Sequence, residues 1–479
     1  MIGAWTNLTR SPDTRVIFVS SFVGDDANDG LSKKTPVRTL ARGVSLLRNN
    51  YPDWLRLKRG DVWYESFGPL SRQGDGAMSG RSSEEPMVFG YYGKGPRPIL
   101  KIGAGQGISP WSTADSASSH IAVVGLHFYA HTRDPNSHDF SGAEGGQGVR
   151  SISVGENILI EDCRFDFCGI IFDPFQKDNL NPRFSNVRIR RSVIYGNYAD
   201  TGHAQGIFLN NTDGILLEEN VLDHNGWNEQ AGAERTKFNH NVYVTTYCTD
   251  LTAIGNIFAR GSSSGLQARA GGIVNNNLFV GNATQLNFGW FSGDAVPPQH
   301  GVTGTVSGNV IMDGDPIDPQ GQNGDDALWG IQVGNIQSAV IENNLVIRSG
   351  EITLSAKNTD GWVGINNLEM KNNRAIAYES YALQIINTAF SNVNINNNIL
   401  YGELGSIRDR DGGSHHIIFT SNVDTITDED SIETIGYYHG QIGRGDSLEA
   451  FLARARNQER GNWEREYVGS WVSNWLRKI

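Results

Sequence analysis

Three cysteines in 479 residues are too few for a disulfide framework, and Cys163, Cys168 and Cys248 lack the spacing of a zinc site. Proline is also scarce, with 15 residues beside 57 glycines, a ratio that fits repeated turns better than disorder. No apolar run approaches the length needed to cross a bilayer. Positive charge is in deficit: 40 Lys and Arg against 52 Asp and Glu leave a formal net charge of -12 and a pI near 5.4. That balance argues against a nucleic-acid partner, whose phosphates need a basic surface. The opening residues Met1-Ile2-Gly3-Ala4-Trp5 do not read as a signal peptide. A trimmed chain, a cytosolic protein or another export route would each account for them.

What the chain has instead is a recurring motif, a short alternating apolar run that ends in Asn and is followed by another apolar pair. Ile215 to Leu222 carries it around Asn220, and Thr252 to Phe258 around Asn256. It returns at Asn277, Asn309, Asn344, Asn373, Asn398 and Asn422, with Cys163 and Ser192 filling the slot earlier. The spacing of about 21 to 36 residues is that of a solenoid whose insertions are confined to turns. The runs alternate with the period of a half-buried strand and are too short for helices. Asn tolerates a left-handed backbone, so the slot reads as a sharp turn, and stacked Asn side chains can bond along the solenoid. A second strand series lies between these motifs: 206–209, 241–244, 265–268, 330–333 and 382–385. Two strand types in every repeat predict a parallel β-helix; the blades of a β-propeller would be longer and would lack the Asn slot.

Over most of residues 100 to 425 these repeats resemble the right-handed parallel β-helix proteins of the pectate-lyase-like superfamily. The opening segment, Val19-Ser20-Ser21 through Gly24 to Ser32 and then Thr35-Pro36, is similar to the start of many bacterial β-helix proteins. The stretch Val37 to Asn49 resembles the helical cap over the first coil. The resemblance implies an all-β, single-stranded parallel β-helix with an N-terminal helical cap. It implies no single reaction, because the superfamily holds polysaccharide lyases, glycoside hydrolases, epimerases and phage tailspikes. The expected division is 1–100 for the N-terminal cap and first coils, 101–425 for the repeats and 426–479 for a C-terminal α-helical cap. There, Asp446 or Ser447 caps one helix. A second is expected from Trp463 to Lys478, with Trp463, Tyr467, Trp471 and Trp475 forming an aromatic stripe. Packing on the last coil is the expected role of that stripe, ahead of a sugar platform.

Long connections at 131–148, 172–185, 225–240, 313–329 and 403–415, with short ones near 260–264 and 281–284, predict a cleft along one edge. Alternation places Gln267, Arg269, Tyr243, Thr245, Phe208, Asn210 and Asn287 outward on its floor. Trp227, Trp290, Phe291 and Trp329 lie in loops beside it, where an indole could stack on a pyranose or pin its own loop. An eliminase needs a base, a leaving-group acid and a cation for the developing charge, and His240, Tyr243 and Arg269 are the residues of those types. A hydrolase needs paired carboxylates, for which Asp200 with His203, Asp223, Glu229, Glu234 and Asp294 are candidates. The acidic run Asp313, Asp315, Asp318, Asp325 and Asp326 has oxygen ligands suited to Ca²⁺, and Asp25, Asp26, Asn28 and Asp29 form a similar cluster.

The leading expectation is a polysaccharide lyase acting on an acidic polysaccharide. The alternatives are a glycoside hydrolase and a non-catalytic, glycan-binding or tailspike-like β-helix. The expected partner is a polysaccharide or oligosaccharide, with no nucleic acid and no membrane, and no oligomeric state is legible. An extracellular or cell-surface location is expected, with the cytoplasm left open by the N-terminus.

Overall fold

The computed structural model describes every residue except 1–3, 73–75, 114–115, 175–182, 201, 291–300, 318–327, 360–361, 379, 427–433 and 479. Its strands form three long parallel sheets of 14, 12 and 12 strands. Successive strands of the chain visit the first, second and third sheet in turn, so each circuit is one coil. One such coil is Thr212–Glu218, then Val221–Asp223, then His240–Val244, before the chain re-enters the first sheet at Thr249–Ile254. The core is the inside of this coil, where like residues stack: Phe128 on Phe165 at 5.2 Å and Phe258 on Phe279 at 4.8 Å between ring centroids.

The Asn slot is the corner between the first and second sheets, and it forms the expected ladder. The backbone N–H and the side-chain Nδ2 of Asn220 both donate to Oδ1 of Asn256, each at 3.0 Å. The same pair of bonds links Asn256 to Asn277, then Asn309, Asn344, Asn373, Asn398 and Asn422. Ser192 and Cys163 continue it through Ser192 Oγ. The left-handed residue, however, is the one before the slot. Arg191, Glu219, Asn276, Asn343, Asn372 and Asn397 have φ between 44° and 56°. The slot Asn stays in ordinary backbone geometry because its amide is needed for the ladder. A shorter second ladder, Asn225 to Asn241 to Asn282, holds the corner between the second and third sheets.

Both ends carry the expected helices. Leu40–Ser45, capped by Thr39, packs Leu40 and Gly43 against the first strands, where a Cβ on Gly43 would stand 2.9 Å from Val19. At the other end, Ser447 caps Leu448–Arg456. The second C-terminal helix is shorter than expected, Gly469–Leu476 after a turn at Arg465–Tyr467. Gly469 sets that boundary, since a Cβ there would meet the Asn256 carbonyl at 2.1 Å. The position of these helices also differs from a lid on the last coil. They lie along the outside of the second sheet, where Phe451, Leu452, Tyr467, Val472 and Leu476 cluster with Val193, Val221, Ile257, Leu278 and Val310. Each fully buried side chain of this kind contributes about 1.5–3 kcal/mol. Trp475 packs on Tyr438 and Trp463 on Trp5, so only Trp471, 39% exposed, faces solvent. No helix among the described residues is long and apolar enough to cross a membrane.

The ladder makes a direct prediction. Asn309→Ala removes the acceptor of two Asn277 donors and the donor to the Val274 carbonyl, all buried. An unsatisfied buried group costs about 1–3 kcal/mol, so urea unfolding should show a loss of at least that size. Asn422→Ala, at the open end of the ladder, should cost less.

Candidate functional site

With the second sheet covered by helices, the third sheet offers the free outer face. The β alternation decides which side chains reach it. Leu266 and Ala268 are wholly buried in the core, so Gln267 between them points outward. Strand register extends this into a row, one residue per coil: Phe208, Tyr243, Gln267, Asn287, Gln332, Thr353 and Gln384. A parallel row runs through Ser264, Thr284, Trp329 and Glu351. Adjacent members stand about 4.8 Å apart, the spacing of hydrogen-bonded strands.

The residues expected to carry an elimination meet at one end of these rows. The His240 and Tyr243 rings are 5.5 Å apart and edge-on, and the Arg269 guanidinium lies 5.2 Å above the Tyr243 ring. Burial, the Arg269 charge and His203 push the His240 imidazole down to about 3, so it is neutral near neutral pH. Its tautomer is fixed as well. The Ser264 backbone N–H donates to Nδ1 at 3.2 Å, which leaves the proton on Nε2 and makes that nitrogen a donor. His203 is the opposite case. Its Nδ1 faces the Phe238 carbonyl at 3.4 Å and must donate, which leaves a lone pair on Nε2. His203 is exposed, and the exposed Phe238 ring stands edge-on to it at 5.7 Å. Burial raises the Tyr243 phenol above its ordinary value, with Arg269 opposing the shift.

Other expected residues fall elsewhere. Asp223 is on the second sheet, fully buried beneath the C-terminal helix, where Arg260 and Arg456 both pair with it. It is a structural ion-pair group and cannot form a catalytic pair with Asp200, which is exposed. Trp290 is 3% exposed and stacks on Trp362 at 4.6 Å, so it packs its own loop instead of facing a sugar. Trp227 stacks on His224 at 4.3 Å and donates its indole N–H to the Arg260 carbonyl, again pinning a loop. Asn210 is on the floor, but its amide is engaged by Asp173 and Thr245. Gln267 and Asn287 stand on the floor, and Trp329 opens a strand of the third sheet instead of lying in a loop beside it. Glu229 faces His224 at 3.6 Å, and Glu234 is exposed. Phe291, Asp294, Asp318, Asp325 and Asp326 lie outside the described residues.

The carboxylates considered for Ca²⁺ are otherwise employed. Asp313 pairs with Arg348 at 2.7 Å and Asp315 with Arg235 at 2.8 Å. Asp26 caps the backbone of Arg38 and Thr39, and Asp29 bonds Leu31 N–H and Thr35. Among the described residues no three His, Cys, Asp or Glu come together as a metal site.

One floor carboxylate was not anticipated. Glu351, in register with Trp329, accepts bonds from Ser380 Oγ and Gln384 Nε2. Its strand, Glu351–Ser355, lacks the extra residue that a bulge inserts into the neighbouring strand between Trp329 and Ile331. The shortened motif hid this coil from the Gly-Ile-x-Leu pattern.

Neither a family model nor a curated protein matches the sequence. Solved structures do, at low identity. A mannuronic-acid-specific polysaccharide family 6 lyase from human gut microbiota is 14% identical, with a TM-score of 0.43, covering 84% of this chain and 89% of that one. The A-module of a mannuronan C-5 epimerase of Azotobacter vinelandii is 14% identical, with a TM-score of 0.42, over 78% and 86%. A lacto-N-biosidase from Eubacterium ramulus is 13% identical, with a TM-score of 0.41, over 86% and 68%. The three sheets and their coil order settle the architecture independently. The fold is a right-handed parallel β-helix.

The buried neutral His240 has a measurable consequence. An unfolded histidine takes a proton near pH 6.5, whereas native His240 resists until about 3. Acidification through that interval therefore favours the unfolded chain, and stability falls. His240→Gln should flatten the loss between about pH 6 and pH 4 in denaturation series. An unchanged slope would place the wild-type imidazole in a wetter setting than the β-helix provides.

Proposed function

We propose that the protein is a carbohydrate-active enzyme, and specifically a polysaccharide lyase that cleaves an acidic polysaccharide by β-elimination over the third sheet. The observation that carries this reading is the meeting of Arg269, Tyr243 and His240 on one outer face, with His203, of the opposite tautomer, close enough to His240 to disfavour its charged form. Elimination removes the proton beside the uronate carboxylate, breaks the glycosidic C–O bond on the next carbon and leaves a carbon–carbon double bond. Each of those needs has a residue. Arg269 pairs with the carboxylate and stabilises the charge that grows there as the proton leaves. His203 Nε2, with its free lone pair, takes that proton. The Tyr243 hydroxyl protonates the departing oxygen. His240, with its proton on Nε2, is assigned as a hydrogen-bond donor to the sugar in place of the base role that residue type alone suggested.

The raised Tyr243 phenol suits an acid, because it stays protonated until the leaving group needs it. An extracellular or cell-surface site of action belongs to the same proposal, since a polymer must be met outside the cell. The hydrolase alternative loses Asp223, which lies beneath the helices. A glycan-binding role without catalysis is an outcome of the test.

A panel of pectate, alginate, glycosaminoglycans and neutral glucans, with and without Ca²⁺, should give ultraviolet absorbance of unsaturated uronates together with new reducing ends. Arg269→Ala should lower kcat/KM by about 10²- to 10³-fold, and His203→Ala by about 10²-fold or more. Reducing ends without absorbance would replace elimination by hydrolysis. Silence of the wild type with retained polymer binding would leave a binding module.

A further inference from the structure

Beyond the reacting centre, the floor changes character. From Arg269 towards the C-terminal coils, the outward row reads Asn287, Gln332, Thr353 and Gln384 before the next cation, the exposed Arg408 of the last coil. The parallel row adds Trp329 and the Glu351 carboxylate. Neither row contains a lysine or arginine between those two arginines.

The groups presented there are mainly oxygen acceptors. Gln267 is 7% exposed and Asn287 is 6% exposed, and Oε1 of the first and Oδ1 of the second have no partner. Asn287 spends its amide protons on Ser264 Oγ, at 3.0 Å, and Gln384 donates its amide to Glu351. Unpaired acceptors at a buried floor call for donors from a ligand, since leaving them unpaired is costly. A sugar hydroxyl or acetamido N–H supplies a donor; a carboxylate supplies only more acceptors. A second uronate over Asn287 or Glu351 would face lone pairs and a like charge with no cation beside it.

We propose that the substrate is a heteropolysaccharide in which uronates are separated by neutral, donor-bearing sugars, and that the amide row selects it against polymers of uronate alone. This rests on the lyase reading for the position of the reacting uronate at Arg269. The row itself is a recognition surface whether or not the bond is cleaved. One sugar unit per coil is the natural match, because the rise between strands, about 4.8 Å, approximates the length of one unit in an extended glycan. The overall net charge of -12 works in the same direction, against a densely anionic chain.

The test compares hyaluronan and unsulfated chondroitin, where uronate alternates with an N-acetylated sugar, against polygalacturonate and polymannuronate of matched length. The full chain should cleave at least one alternating polymer with kcat/KM about 10-fold or more above either homouronan. Gln332→Lys, on a half-exposed position of the row, adds the missing cation and should narrow the ratio of kcat/KM between the alternating polymers and the homouronans by about 5-fold or more. Glu351→Gln should move the preference in the same direction. Equal or better turnover of a homouronan by the wild type overturns the proposal, as does a preference that neither substitution alters. If no polymer gives an unsaturated product, the lyase reading fails on its own, and affinity electrophoresis in the same four polymers still decides this one. Retardation by hyaluronan or chondroitin but not by the homouronans, with that difference narrowed in Gln332→Lys, supports it; equal retardation, or none, overturns it.

Discussion

The fold depends on how each coil turns its first corner. A chain wound into three parallel sheets must bury a sharp turn at every circuit, and a buried turn exposes backbone groups that no strand can satisfy. The ladder from Ser192 to Asn422 answers this with one residue type: each Asn receives the N–H of the coil before it and returns an N–H to a carbonyl of an earlier strand. The preceding residue absorbs the left-handed conformation at about 1–2 kcal/mol where it is not glycine, as at Arg191 and Glu219. Because the ladder fixes the rise and rotation from coil to coil, it also fixes the register of the third sheet. The rows through Tyr243 and Gln384 are straight for the same reason that the ladder is continuous.

The three outer faces are then spent differently. The second sheet shows Val193, Val221, Ile257 and Leu278 outward, an apolar stripe that the C-terminal helices cover. At its edge Asp223 is enclosed by Arg260 and Arg456, and both of those also meet Glu449. A cluster of that kind orients the helix more than it stabilises it, since desolvation offsets much of the Coulomb gain. Part of the first sheet is covered by the N-terminal segment, whose Trp5 lies 4.8 Å under Arg191 and whose Thr6 bonds Glu161. The third sheet keeps amides, aromatics and ionisable groups outward with no helix over them.

The solenoid was legible in the sequence because period and slot are local properties: an Asn every 21 to 36 residues and a strand alternating on either side of it. Alternation along 264–268 likewise placed Gln267 and Arg269 outward, and the meeting of His240, Tyr243 and Arg269 follows from pairing adjacent coils. What could not be read was long-range. Asp223 ends a three-residue strand, too short to show which sheet it belongs to, and its neutralising partner Arg456 lies 233 residues away. Trp290 and Trp362 also meet from separate coils, and that contact decides for packing where the sequence left a loop tryptophan open between a sugar platform and a loop anchor. The C-terminal stripe gave the helix but not its seat, because an apolar stripe matches the side of a solenoid as well as its end. Glu351 was missed for a local reason, the absent bulge residue that broke the motif.

The two histidines show why residue type alone does not assign the base. Either could take a proton in isolation. Their backbone partners separate them: an N–H pointing at Nδ1 of His240 and a C=O pointing at Nδ1 of His203 set opposite tautomers without any change in side chain. A buried base that must give up a hydrogen bond before it can act is a poor base, whereas a buried N–H held in place is a preorganised donor. Arg269 completes the logic. A uronate in its ground state already carries one negative charge, and proton removal adds more at the same carboxylate. Under the proposed elimination, the Arg269 guanidinium therefore holds the transition state more tightly than the substrate, which is the difference that accelerates a reaction. More cations along the floor would bind a polyanion more strongly at every unit and gain nothing at the one that reacts.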